Sequence, residues 1–296
     1  MIFNSSLKQA TGFLGVLSLI CFSSCNNGTE PVTEADSNNI DVEKVKAKPE
    51  AKEEFVYYML PSALQIAHIF RKSGLKYYPN VINDPNNVSK YVSETSKLQN
   101  IGVFSADLCY AALNQQTQEE LNCLKAMMDL SGEMGFSSVF TGAFVDRFEK
   151  NIAHEDSMIS ILTELQKRLD YYLQDAEMND QSIIIFSGAW VESIYLSLAG
   201  YRAEGDVSGL SVRIQEQLYI LKGLISKLND VWEPDEQVKA LTSDLEALLT
   251  IVEDLSFITN VDPKEQVSVS EVAISDEEIK LILKTVDKIR ATVVNG

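Results

Sequence analysis

Residues 181–202 read QSIIIFSGAWVESIYLSLAGYR, and how this segment packs decides the fold. Its apolar residues do not keep to one side: Ile183, Ile184, Ile185, Phe186, Trp190, Val191, Ile194, Tyr195, Leu196 and Leu198 fall on every face of a helix. A helix that is apolar all round is either the centre of a helical domain or a membrane span. Glu192 at its middle would be costly in hydrocarbon, and Ser182, Ser187, Ser193 and Ser197 dilute the segment further. The expectation is a buried central helix.

Around it the chain supplies one-sided helices. Met158, Leu162, Leu165, Leu169 and Tyr172 step by four and three, as do Ile214, Leu218, Leu221, Ile225 and Leu228. Val238, Leu241, Leu245, Leu248, Val252 and Leu255 make another such stripe, and Ile279, Ile282, Val286, Ile289 and Val293 a fourth. Pro61 sits in a first turn, Thr117 with Glu120 and Ser275 with Glu278 have capping-box spacing, and Gly74 and Gly135 are stop signals. The pattern predicts about nine helices, over 60–73, 89–114, 118–134, 137–151, 156–177, 181–202, 209–230, 235–257 and 276–293. The alternating run 266–274 (QVSVSEVAI) is the one strand-like stretch and has no partner. The predicted class is all-α, a single domain over 55–296.

Two short stretches are self-similar: Phe140–Asp146 (FTGAFVD) and Phe186–Glu192 (FSGAWVE), with a fainter copy at 103–106 (VFSA). Their spacings of 46 and 36 residues suit helical-hairpin repeats. The sequence therefore leaves two architectures open: stacked hairpins in a repeat-like array, or an irregular helix bundle.

The first 24 residues read as a secretory signal, with Lys8, the apolar run 12–22 and small residues at the end, too short to span a bilayer. The ending FSSC (22–25) resembles the lipobox of bacterial lipoproteins, which implies lipidation of Cys25. Residues 26–54 contain no aromatic residue and cannot offset their ordering entropy by burial, so 25–54 reads as the lipidated Cys25 plus a flexible acidic tether. Such a tether reaches about 30 Å.

The formal charge of −18 argues against a nucleic-acid partner, because phosphate recognition needs clustered Lys and Arg. Of the 43 acids, 35 lie in residues 55–296 against 20 bases, so the acidity belongs to the domain and not to the tether. No P-loop, GxGxxG turn, GxSxG elbow or zinc-ligand spacing occurs, so no metal and no cofactor is expected. His68 reads as a half-buried structural residue and His154 as decoration at a helix start, while the turn-forming cluster 83–87 (NDPNN) is a weaker calcium candidate. For Cys109 and Cys123 two readings stand: a disulfide across an antiparallel hairpin, or two buried thiols.

Polar groups embedded in the most apolar helices are the site candidates: Asp107, Tyr110, Arg147, Trp190, Glu192 and Tyr195. Either they line a pocket between helices, or Arg147 pairs with Asp107 or Glu192 as a structural ion pair. The stretches 58–74 (YMLPSALQIAHIFRKSG), 100–113 (NIGVFSADLCYAAL), 151–162 (NIAHEDSMISIL) and 187–200 (SGAWVESIYLSLAG) resemble a group of uncharacterised helical lipoproteins of Bacteroidetes-type bacteria. That resemblance covers half of the chain and implies a lipid-anchored envelope protein, but it transfers no catalytic residue. Surface-bound lipoproteins of that kind often carry acids just after the lipidated Cys, whereas Asn26, Asn27 and Gly28 follow here, which favours the periplasmic face of the outer membrane. The expected function is a binding or scaffolding module for another envelope protein or a small ligand. The alternative is an enzyme or small-ligand receptor with a carboxylate-containing pocket.

Overall fold

The computed structural model describes residues 76–206, 209–256 and 274–296, all within one compact unit. The predicted helix 60–73 with Pro61, His68 and Gly74, the signal, Cys25, the tether and the strand-like run 266–274 lie outside them, apart from Ile274. Among the described residues the fold is all-α. Its nine helices are α1 (Glu94–Leu113), α2 (Thr117–Glu133), α3 (Gly142–Asn151), α4 (Glu155–Asp175), α5 (Asn179–Ser197), α6 (Ala199–Glu204), α7 (Leu210–Asn229), α8 (Glu236–Glu253) and α9 (Asp276–Asn295).

The apolar-all-round segment is the centre: Trp190, Val191 and Glu192 of α5 are buried, and α1, α4, α7 and α9 pack around it. Its serines fit because their hydroxyls turn back on their own helix. Ser187 Oγ donates to Ile184 O (2.6 Å), Ser193 Oγ to Ala189 O (2.7 Å) and Ser197 Oγ to Ile194 O (2.6 Å). Such back-bonding satisfies a buried hydroxyl and bends a helix. The predicted single helix 181–202 accordingly breaks at Leu198, and α6 ends on left-handed Gly205 (φ 68°).

The tightest contact in the core is between α1 and α5. A Cβ built on Gly102 would lie 1.9 Å from Ile185 O, and one on Gly188 would lie 1.8 Å from Gln99 O. Only glycine permits backbone to touch backbone in this way. The contact lies just before VFSA on α1 and at the start of FSGAWVE on α5, both in helix interiors. FTGAFVD is not their structural equivalent: Thr141 is the N-cap of α3, its Oγ accepting from Phe144 N (3.3 Å), and Gly142 faces open space. The hairpin-repeat architecture is not supported by these placements.

Local capping sets the other boundaries. Predicted helix 89–114 starts later, because Asp84 caps a 3-10 turn at Pro85–Lys90 and Ser93 caps α1, accepting from Ser96 N (3.0 Å). Helix 137–151 is split, with a 3-10 turn at Ser137–Val139 before Thr141. Ser275 and Glu278 form the capping box expected for α9, and Gly135 is left-handed after α2. Thr117 and Glu120 do not form one. The left-handed Gln115 turns the chain so that Gln116 occupies the N-cap, and the Glu120 carboxyl points into the core instead.

Gly188→Ala should therefore destabilise the fold by about 3 kcal/mol through overpacking. Gly132→Ala, where the new methyl meets nothing within 4 Å, should stabilise it by about 0.5–1 kcal/mol. Urea unfolding of the two variants beside the parent measures both shifts.

Candidate functional site

The close approach of α1 and α5 carries Asp107 and Glu192 to the same buried spot, since each lies about one turn beyond its glycine. Neither has any exposed surface. Glu192 is held by Arg290 of α9: Nε donates to Oε2 (2.8 Å) and Nη2 to Oε1 (2.9 Å), a bidentate pair. Arg290 Nη2 also donates to Val81 O (3.2 Å). The Tyr195 ring lies 4.0 Å from the Arg290 guanidinium and 3.9 Å from that of Arg202, so it contacts two cations. Arg202 Nη1 donates to Tyr195 O (2.6 Å), and its Nε donates to Asp287 Oδ1 (3.1 Å). Burial opposes the charge on Arg290, but the charge and hydrogen bonds of Glu192 outweigh it and hold its pKa above the usual value.

Asp107 is the odd member. Its Oδ2 accepts from Asn83 N (3.0 Å); no N–H reaches Oδ1, but the carboxyl stands within hydrogen-bond reach of the Glu192 side chain. Burial first, and then the negative charge of Glu192, push its carboxyl well above the ordinary carboxylate range, against the opposing pull of Arg290. The surroundings of Asp107 thus favour its neutral form beside the Glu192–Arg290 pair.

The same polar core secures the end of α9. Asn83 Nδ2 donates to the Tyr91 hydroxyl (2.9 Å), which donates to Val294 O (3.2 Å). Asn100 Nδ2 donates to Val293 O (2.9 Å) and to Ser96 O (2.8 Å). Two carbonyls that a helix C-terminus leaves open are satisfied this way. Asn83 belongs to the NDPNN cluster, whose side chains are used in this network and in capping the 3-10 turn.

The structure brings together only part of the predicted set. Asp107, Glu192 and Tyr195 converge. Trp190 is buried on another face of α5, its Nε1 donating to Gln217 Oε1 (3.0 Å). Tyr110 accepts from Tyr78 N (2.7 Å), donates to Lys76 O (3.1 Å) and stacks on Tyr77, with ring centroids 5.6 Å apart. Arg147 pairs with neither carboxylate. It lies on α3 at the surface and pairs with Glu164 of α4, because the helix that carries it starts at Gly142 and packs on α4. Cys109 and Cys123 are free, buried thiols and not a disulfide, and burial pushes Cys109 up to about 12. His154 is the N-cap residue of α4 and makes no side-chain capping bond.

Sequence reasoning missed Arg290, Asn83, Asn100 and Tyr91. Arg290 had a signal, for it sits three and four residues from Val293 and Val286, on the edge of the α9 apolar stripe. A shallow groove of about 510 Å³ lies elsewhere, lined by Ser138, Arg168, Tyr171, Tyr172, Gln174 and Asp175. No family model, curated protein or solved structure matches the chain.

Two outcomes follow from this geometry. Arg290→Met strands Glu192 without its cation and should cost about 3–5 kcal/mol in urea unfolding. The folded chain also keeps a proton on Asp107 that the unfolded chain releases above about pH 4, so the stabilisation is complete below that pH and declines as pH rises toward the raised value. The stability of the parent minus that of Asp107→Asn should therefore fall as pH increases from 4, and a flat difference would contradict a neutral Asp107.

Proposed function

We propose that this chain is a lipid-anchored binding or scaffolding module of the cell envelope, held by Cys25 at the periplasmic face of the outer membrane, that docks another envelope protein or a small ligand. The sequence supports the anchor through the signal, the FSSC ending and the tether. One structural observation favours binding over catalysis. Glu192 is fully engaged by Arg290, whereas a large aromatic residue, Trp232, is held 79% exposed at a turn between helices. Exposed Trp is the residue most suited to anchoring a protein contact.

The enzyme or receptor alternative rests on the Asp107 carboxyl beside Glu192. It requires access to a pair that has no exposed surface.

The anchor is tested in the producing cell. Globomycin should accumulate the unprocessed precursor, and Cys25→Ala should abolish incorporation of labelled fatty acid. Normal processing under globomycin would defeat the lipoprotein reading.

A further inference from the structure

One end of the bundle carries several of the exposed apolar residues. The α1 and α8 N-termini meet there, through the Ser93 hydroxyl and the Gln237 side-chain oxygen, and the α5 N-terminus joins them through Asp180. Val92, one residue before the α1 cap, is 82% exposed, and Trp232 lies in the turn from α7 to α8. Tyr171, 70% exposed, lies about one turn before the C-terminus of α4, which a short link joins to α5 at this same end. Val92, Tyr171 and Trp232 thus lie toward the same end of the bundle, and Trp232 is the largest of the three.

Trp232 is not on a loose loop. Its N–H donates to Asp180 Oδ2 (3.1 Å), and the preceding Val231 is buried, its N–H reaching Leu228 O (3.3 Å). The following Glu233 takes a left-handed conformation (φ 47°), which costs a non-glycine residue free energy, and Pro234 stiffens the step after it. Asp235 then caps α8, accepting from Val238 N (2.8 Å). A strained, bonded turn that holds an indole in water is preorganised for a contact, and preorganisation lowers the entropy lost on binding.

The turn that carries Trp232 is net acidic. Residues 230–236 read DVWEPDE, four acids and no base around Trp232, and Asp180 and Glu94 add to them. The nearest lysines in sequence are already engaged, Lys227 by Asp230 (3.3 Å) and Lys239 by Glu236 (2.8 Å). This field would repel an anionic bilayer and an acidic second copy of the chain. It favours a cationic partner, for which Trp232 offers both an apolar face and a cation–π surface.

We propose that this end of the bundle, centred on Trp232 with Val92 and Tyr171, is the docking surface for a basic, apolar-containing segment of a partner protein. The proposal rests on the binding-module reading above and names its surface and partner class. Electrostatic steering makes such an association fast and salt-sensitive, and the indole supplies the desolvated anchor.

Site-specific photocrosslinking in the producing cell tests it. A photoreactive phenylalanine analogue replaces Trp232 in the full chain, and for comparison Tyr219, which is equally exposed on α7. The expected result is a crosslink from position 232 to a protein segment rich in Lys or Arg. Its yield should fall about tenfold when Glu233→Lys and Asp230→Lys are added, with the circular dichroism unchanged. A crosslink from 232 to lipid, to another copy of the chain or to an acidic segment would overturn the proposal. So would a yield insensitive to the charge reversal. Protein crosslinks from 219 alone would overturn it while leaving the binding-module reading in place, and no protein crosslink from either position would sink both.

Discussion

Backbone contact between α1 and α5 is the constraint on which the rest of the structure depends. Gly102 and Gly188 remove the side chains that would hold the two helices apart, so Gln99 O and Ile185 O lie where a Cβ would be. At that separation the residues one turn further along have no room for solvent. Asp107 and Glu192 are consequently stripped of water together, and two ionised carboxyls there would repel at close range. The fold resolves this in two ways at once. Burial raises the Asp107 carboxyl toward its neutral form, and an arginine is brought to Glu192.

That arginine comes from the far end of the chain, and so the helix packing at residues 102 and 188 governs the docking of α9. Arg290 reaches Glu192 and Val81 O, while Tyr91 and Asn100 close the carbonyls of Val294 and Val293. Hydrophobic burial of Ile279, Ile282, Val286, Ile289 and Val293 supplies attraction but little register, because an apolar stripe can slide by a turn. A bidentate ion pair and two directed hydrogen bonds cannot. The buried polar groups thus specify which of several apolar seatings α9 adopts, a role for which polar core groups are better suited than for adding stability.

Much of this was legible in the sequence, and the parts that were not fail for physical reasons. The stripes of α4, α7, α8 and α9 gave their helices directly, since a 3.6-residue period needs only local information. The central place of residues 181–202 followed from their all-round apolarity. Boundaries were less readable: Ser93 and Thr141 start helices inside stretches that the periodicity alone runs together, because a cap interrupts the backbone without interrupting the hydrophobic pattern. The likeness of FTGAFVD to FSGAWVE was misleading for the same reason, as one places its Thr in a cap and the other its Ser in a helix interior. Asp107 and Glu192 were identifiable as charges in apolar surroundings, yet their cation was assigned to Arg147. Choosing between Arg147 and Arg290 requires knowing which helix crosses α5, and that is a long-range fact no local pattern contains.

The charges also explain how the chain divides its acids. Inside, Glu192 is matched by Arg290, while burial raises the carboxyls of Asp107 and Glu120. Outside, cations are drawn into pairs such as Lys97 with Glu133, Lys222 with Glu253 and Lys288 with Asp244, and with 35 acids against 20 bases in residues 55–296 many carboxylates remain without a cation. Each surface pair adds little to stability. Their collective effect is on the field: what remains visible from a distance is negative, and the turn at 230–236, with four acids in seven residues, contributes to it. Held by the proposed lipid anchor, the domain would be pushed away from an anionic surface by that field. Association with a cationic partner would then be favoured at the point where the same turn holds its indole in water.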